Sequence, residues 1–285
     1  MMAQSPTYGV ALTAVAMANE RRVETAREDG LVDDPLAGAF VDAAAPAEGP
    51  FPWLRDGSTL SDVCPAMGDY VGLRTRLFDA WTLRAVREEG VRQVVLPAAG
   101  LDSRAYRLPW PAGVRLFEID FPELIGFKQE TLSSAGARPS CERTAVCADL
   151  AGDWESPLLE SGFRPREPAL WLVEGLLMYL ADGDRLLSRI TALSAPGSRL
   201  IADHAYPEAL RSEAFAAGTQ SLAEIGSAFG GTVAGPGRWL GGHGWSASVA
   251  RPSDVVAGTG RALPGILDPA LPDSPVFWLA SGRRE

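Results

Sequence analysis

The sequence predicts a doubly wound α/β fold: a mostly parallel seven-stranded sheet, with N-terminal helices ahead of it and a C-terminal cap. Three observations carry this reading. Five short apolar runs between Gln93 and Ala202 alternate with helical or loop segments, the rhythm of strand, crossover and parallel strand. Acidic residues stand at or just after four of those runs, where an open parallel sheet presents its ligand-binding edge. Two later runs, Trp245 to Ala250 and Val276 to Ala280, follow a Gly-rich stretch and fit an antiparallel hairpin at the sheet edge.

Taken in order, residues 9 to 28 carry Val10, Leu12, Val15, Met17, Val23 and Ala26 among polar neighbours, a helical period that stops at Asp33-Asp34-Pro35. A short helix is predicted from Pro35 to about Ala45. Pro46 to Pro65 mixes Pro, Gly, Trp and acids without periodicity and reads as a loop. Asp69 to Glu89 recovers a helical period. The five core strands are Gln93–Pro97, Arg115–Ile119, Ala145–Ala148, Ala169–Val173 and Ser198–Ala202. Pro207 to Phe229 reads as one helix, and "GGTVAGPGRWLGGHGW" follows it. The chain is read as a single domain in four parts: a helical cover (1–68), a core (69–204), a cap insertion (205–245) and terminal strands (246–285).

Composition narrows the partners. A chain of 285 residues with 46% hydrophobic content can bury a sizeable core in one unit. Its net charge of −10 argues against a broad attraction to nucleic acid or to an anionic membrane. Lys128 is the only lysine, so the basic charge is almost all arginine. Cys64, Cys141 and Cys147, with His204 and His243, lack metal-ligand spacing, so no metal site is expected. The apolar run Gly9 to Ala18 has its basic residues behind it rather than ahead, the wrong order for a signal peptide. No apolar run is long enough to span a bilayer. The expected setting is cytoplasmic, with a small molecule as partner and no sign of oligomeric state.

The turn after the first strand, "LPAAGLDSR", has one glycine where a dinucleotide-binding turn carries three. Two of those three serve a pyrophosphate and the packing around it. After the second strand come Glu118 and Asp120, 18 and 20 residues beyond Gly100, at the distance where a ribose-binding carboxylate belongs. Asp149-Leu150 follows the third strand and Glu174 the fourth. A rim so acidic repels pyrophosphate and tolerates a cation. A phosphate-free nucleoside joined to a sulfonium, S-adenosylmethionine, has that character.

"QVVLPAAGLDSRAYRLPWP", "LFEIDFPELIGFK", "VCADL" and "LWLVEGLLMYL" follow "LRTRLFDAW" and "AVAMANERRVETAREDGLVDDPLA" in order. Together they resemble the leucine carboxyl methyltransferase-like family of S-adenosylmethionine-dependent O-methyltransferases, over roughly residues 10 to 205. The resemblance implies a class I methyltransferase-like sheet and S-adenosyl-L-methionine as cofactor. It assigns Arg74, with Arg76 as alternative, to the cofactor's carboxylate and Gly100 to its methionine portion. Glu118 and Asp120, the latter foremost, fall to the ribose, Asp149 and Leu150 to adenine, and Glu174 to the ribose or sulfonium, with Tyr179 at the pocket floor. The turn's usual first glycine is expected at Ala99, where alanine permits close approach if φ is negative.

Several residues also have plain structural readings. Asp102 can cap a helix, Arg104 and Arg107 can pair with nearby acids, Trp239, Trp245 and Trp278 can fill core or cap, and His243 can sit in a loop. His204, after the fifth strand, is the candidate catalytic base, although a histidine there can also bond locally. Methyl transfer to a carboxylate needs no base, since a group of pKa about 4 is already ionised at neutral pH. Transfer to a hydroxyl does need one. Two histidines, no metal motif and the resemblance to a carboxyl-methylating family favour the carboxylate of a small metabolite, with Arg76 or Arg238 to receive it. The alternative is a cofactor-binding protein that has lost transfer and acts as a cyclase, isomerase or non-catalytic partner. A nicotinamide dehydrogenase is disfavoured by the missing glycines.

Overall fold

The computed structural model describes residues 10–45, 68–224, 227–261, 267 and 277–285. The expected loop from Pro46 to Pro65 and the strand start at Val276 lie outside them. The chain begins with α1 (Val10–Thr25), α2 (Ala37–Ala44) and the long α3 (Gly68–Arg87). Then come β1 (Gln93–Pro97), α4 (Arg104–Arg107), β2 (Arg115–Asp120), α5 (Pro122–Ser134), β3 (Glu142–Cys147), α6 (Glu155–Glu160) and β4 (Ala169–Val173). A 3-10 turn (Leu177–Tyr179), α7 (Gly183–Ala192) and β5 (Arg199–Ala205) complete the parallel part. The rest is a 3-10 turn (Pro207–Arg211), α8 (Glu213–Glu224), α9 (Pro236–Gly242), β6 (Trp245–Ala250), α10 (Pro252–Val256) and β7 (Phe277–Arg284).

The strands form one seven-stranded sheet in the order β3-β2-β1-β4-β5-β7-β6. The first five run parallel, and β7 lies antiparallel between β5 and β6. Strand order reverses between β1 and β4, so their carboxyl ends bound the crevice where such sheets bind ligands.

Side chains alternate across the sheet into two cores. Leu96, Leu116, Leu172, Ile201 and Leu279 pack on the face covered by α1, α2 and α3. Val95, Phe117, Trp171, Val173 and Leu200 pack on the other, with Leu186, Leu187 and Ile190 of α7. β1 and β4 are buried along their whole length, which explains their unbroken apolar sequences.

Two expectations need correction here. The predicted helix from Pro207 to Phe229 is broken at Ser212, whose Oγ accepts the Phe215 N–H (3.3 Å) and so starts α8 afresh. In the turn after β1 the residue needing a glycine's freedom is Ala98, at φ 51°, not Ala99. Left-handed backbone at an alanine costs roughly 1–2 kcal/mol.

Candidate functional site

A cavity of about 440 Å³ opens over the carboxyl ends of β1 and β4. Seven of the predicted residues line it: Arg74, Gly100, Asp120, Asp149, Leu150, Glu174 and Tyr179. Each except Arg74 and Tyr179 follows or ends a strand, so the sheet's own topology gathers them. Helix α1 roofs the cavity with Thr13, Ala14, Met17 and Arg21, one face at helical spacing. The roof is close: a Cβ on Gly100, whose φ is 51°, would lie 3.3 Å from the Ala14 side chain. Arg21 pins the roof down through Asp34 (2.8 Å) and the Leu101 carbonyl (2.7 Å).

The turn is fixed from beneath. Asp120 accepts the N–H groups of Gly100 (2.6 Å) and Phe121 (2.8 Å). Burial pushes the Asp120 carboxyl up, while those two hydrogen bonds oppose the shift. Phe121, the next residue, keeps an exposed ring at the cavity rim near Asp149 and Leu150. Sequence reasoning passed over it, although an aromatic directly after a strand-end carboxylate was the available signal.

The centre of the site is an ion network. Glu174 lies between Arg74 (2.9 Å) and Arg104 (2.7 Å). Arg74 also meets Asp203 (2.9 Å), which accepts the Tyr70 hydroxyl (2.8 Å) and the Gly175 N–H (2.7 Å). Arg104 also pairs with Asp102 and with Asp79 (2.7 Å), and Arg107 joins Asp79 (2.5 Å). Burial works against the charge on Asp102 and Glu174, yet their arginines overcome it. The Asp102 carboxyl is held at about 2, and that of Glu174 lies below the usual glutamate range. Arg74, Arg104 and Arg107 thus face Asp79, Asp102, Glu174 and Asp203, which leaves one carboxylate in excess.

Two predicted residues do not reach the cavity lining. Glu118 points the same way as Asp120 but two residues deeper, where α5 covers it. Its Oε2 meets Lys128 Nζ (2.7 Å) and Arg143 Nη2 (2.7 Å), and both Glu118 and Lys128 are fully buried. His204 follows Asp203 in β5, so alternation sends it to the opposite face. There its ring stacks on Trp278 (5.7 Å), and its Nδ1 accepts the Ala205 N–H (2.8 Å). The expected substrate arginines, Arg76 and Arg238, are both exposed and outside the lining. His243 is held by Asp184 (2.7 Å), which also accepts the Trp239 indole N–H (2.8 Å).

Burial pushes the His204 imidazole down to about 4, against an ordinary value of 6.5. Below pH 6.5 the unfolded chain takes up a proton that the folded chain refuses. Stability contributed by neutral His204 is therefore complete above pH 6.5 and lost as pH falls towards 4, by about 1.4 kcal/mol per unit. Urea unfolding at pH 7 and pH 5 should show this slope, and His204→Gln should remove it. An unchanged slope in the variant assigns the acid sensitivity to another group.

The sheet order, with the cavity over β1 and β4, belongs to the fold that solved methyltransferase structures share. A DUF574-family protein from Streptomyces avermitilis shares the fold with a TM-score of 0.61 at 15% identity, covering 94% of this chain and 97% of that one. A crystal structure from Thermobifida fusca, described as a methyltransferase, gives 0.58 at 17% identity over 86% and 93%. The family model for leucine carboxyl methyltransferase matches residues 14–191, and the chain belongs to that family. A Parafrankia sp. protein named as an S-adenosyl-L-methionine-dependent methyltransferase is 45% identical over 90% of this chain and 83% of its own length. One of the same name from Frankia alni is 47% identical over 91% of each. Among the described residues no helix is long and apolar enough to cross a membrane.

Proposed function

We propose that the protein transfers the methyl group of S-adenosyl-L-methionine to a carboxylate oxygen of a small-molecule acceptor. The observation that carries this is the Glu174 network, with its one uncompensated carboxylate beneath the cavity. A buried negative excess is costly alone and is relieved by a cationic ligand. When bound, the cofactor supplies a sulfonium methyl for in-line displacement.

This chain's residues do the rest by position. Glu174 faces the positive charge, and Arg74 and Arg104 hold its carboxylate in place and ionised. Asp120 takes the ribose, Phe121 and Leu150 flank adenine, and Asp149 meets its polar edge. Gly100 admits the methionine portion under α1, and the α1 roof keeps water out. Alignment of this kind is worth on the order of 7–11 kcal/mol of a barrier. A carboxylate acceptor is supported because no imidazole lines the cavity and its carboxylates at the centre are bound to arginines or backbone. An acceptor already ionised needs no base.

The test is S-adenosylhomocysteine formation with the purified chain, over a panel of small monocarboxylic acids and the matching alcohols. Methyl esters from the acids alone are expected. Turnover of alcohols alone overturns the carboxylate, and tight cofactor binding without any product supports the non-transferring alternative.

A further inference from the structure

The cavity has a second wall that the cofactor residues do not explain. It comes from the segment after α8. Ser227 lines the cavity, is 3% exposed, and its hydroxyl has no hydrogen-bond partner among the described residues. A buried hydroxyl left unpaired costs about 1–3 kcal/mol, so a folded chain that keeps one there has a use for it.

The segment is tightly seated. Gly230 N–H donates to the Met178 carbonyl (2.6 Å), and a Cβ on Gly230 would come within 2.4 Å of the Leu180 carbonyl oxygen. Only glycine permits that approach. Phe229 meets the Tyr179 ring edge-on at 6.1 Å, and Val233 N–H bonds the Ala205 carbonyl (3.0 Å) at the end of β5. Met178, Tyr179 and Leu180 line the same cavity. Ser227 therefore stands over the β4–β5 side, with Met178, Tyr179 and Leu180, while the candidate cofactor residues come from α3 and the ends of β1 to β4.

We propose that the 227–230 segment is the acceptor-selecting wall, with Ser227 hydrogen-bonding the acceptor and Met178 and Leu180 packing its apolar body. This rests on the methyltransferase reading above. The arginines of the central network and roof already have carboxylate partners, Asp34 for Arg21 and Asp203, Glu174 and Asp79 for Arg74 and Arg104. Arg185 also lines the cavity, and the chamber takes an apolar-bodied molecule whose one anionic group is the one that reacts.

The test needs no knowledge of the acceptor. Ser227→Cys in a Cys147→Ser background is treated with benzyl methanethiosulfonate or its sulfonatoethyl analogue, each with saturating S-adenosylhomocysteine, and labelling is located by peptide mass spectrometry. The neutral benzyl reagent should label the introduced thiol about ten-fold faster than the anionic one, relative to a free thiol, since Met178 and Leu180 make the wall beside Ser227 apolar. The label should leave S-adenosylhomocysteine affinity within about two-fold, as two separate subsites require. Protection of the introduced thiol by S-adenosylhomocysteine, absence of labelling, or a faster anionic reagent each overturns the proposal. Failure of the unlabelled protein to bind S-adenosylhomocysteine instead sinks the methyltransferase reading beneath it. Ser227→Ala should melt no lower than the wild type, because the hydroxyl it removes bonds nothing among the described residues; a lower melting point marks Ser227 as structural and also overturns the proposal.

Discussion

Asp203→Ala is expected to lower the unfolding free energy by about 3–5 kcal/mol and to abolish measurable cofactor binding. Asp203 is fully buried and accepts from Tyr70, Arg74 and the Gly175 backbone at once. Its removal leaves the Arg74 guanidinium, itself buried, with Glu174 as its one remaining carboxylate. Glu174 is then drawn towards Arg74, and the negative excess proposed to receive the cofactor disappears. The loss is large against a typical domain stability of about 5–15 kcal/mol. Urea unfolding and calorimetric titration with S-adenosylhomocysteine measure both effects. A stability loss under about 1 kcal/mol would falsify the view of Asp203 as the network's anchor.

Glu118→Ala is the second large effect, and it separates packing from cofactor contact. Lys128, the only lysine, is fully buried against Glu118, so the variant leaves a buried ammonium uncompensated. A cost of about 3–5 kcal/mol follows. The pair replaced together, Glu118→Leu with Lys128→Met, should recover the Lys128 share of it, because apolar side chains of similar volume need no partner there, while Arg143 still loses its Glu118 contact. In that double variant S-adenosylhomocysteine affinity should stay within about two-fold of wild type if Glu118 serves the fold. A hundred-fold loss of affinity, about 2.7 kcal/mol, would instead return Glu118 to the ribose contact that its strand-end position suggested.

Much of the architecture was legible because β1 and β4 are buried on both faces and so read as unbroken apolar runs with the observed boundaries. β5 was read too short, ending at Ala202, because Asp203 and His204 look like a strand's polar exit. Both are buried, one by Arg74 and Tyr70, the other by Trp278, and those partners lie far away in sequence. Arg104 does pair with acids as expected, but Asp79 of α3 and Glu174 at the end of β4 lie far from it in sequence, and only Asp102 is its neighbour there. Strand-end position located Gly100, Asp120, Asp149, Leu150 and Glu174, since topology alone brings those ends together. It misdirected at Glu118 and His204, where depth along the strand and side-chain parity decide what a residue reaches.

The position of β7 between β5 and β6 has a consequence for how the chain reaches this structure. β6 emerges from synthesis before β7, yet its only neighbour among the described strands is β7. Until β7 is made, the outer edge of β5 stands open beside the cavity, and Trp278 is not there to cover His204. Parallel pairing of the first five strands can proceed as the chain grows, but the outer edge of β5 is covered last. A nascent chain halted before residue 277 therefore leaves β5 with a bare strand edge, the kind of edge that invites pairing with another chain.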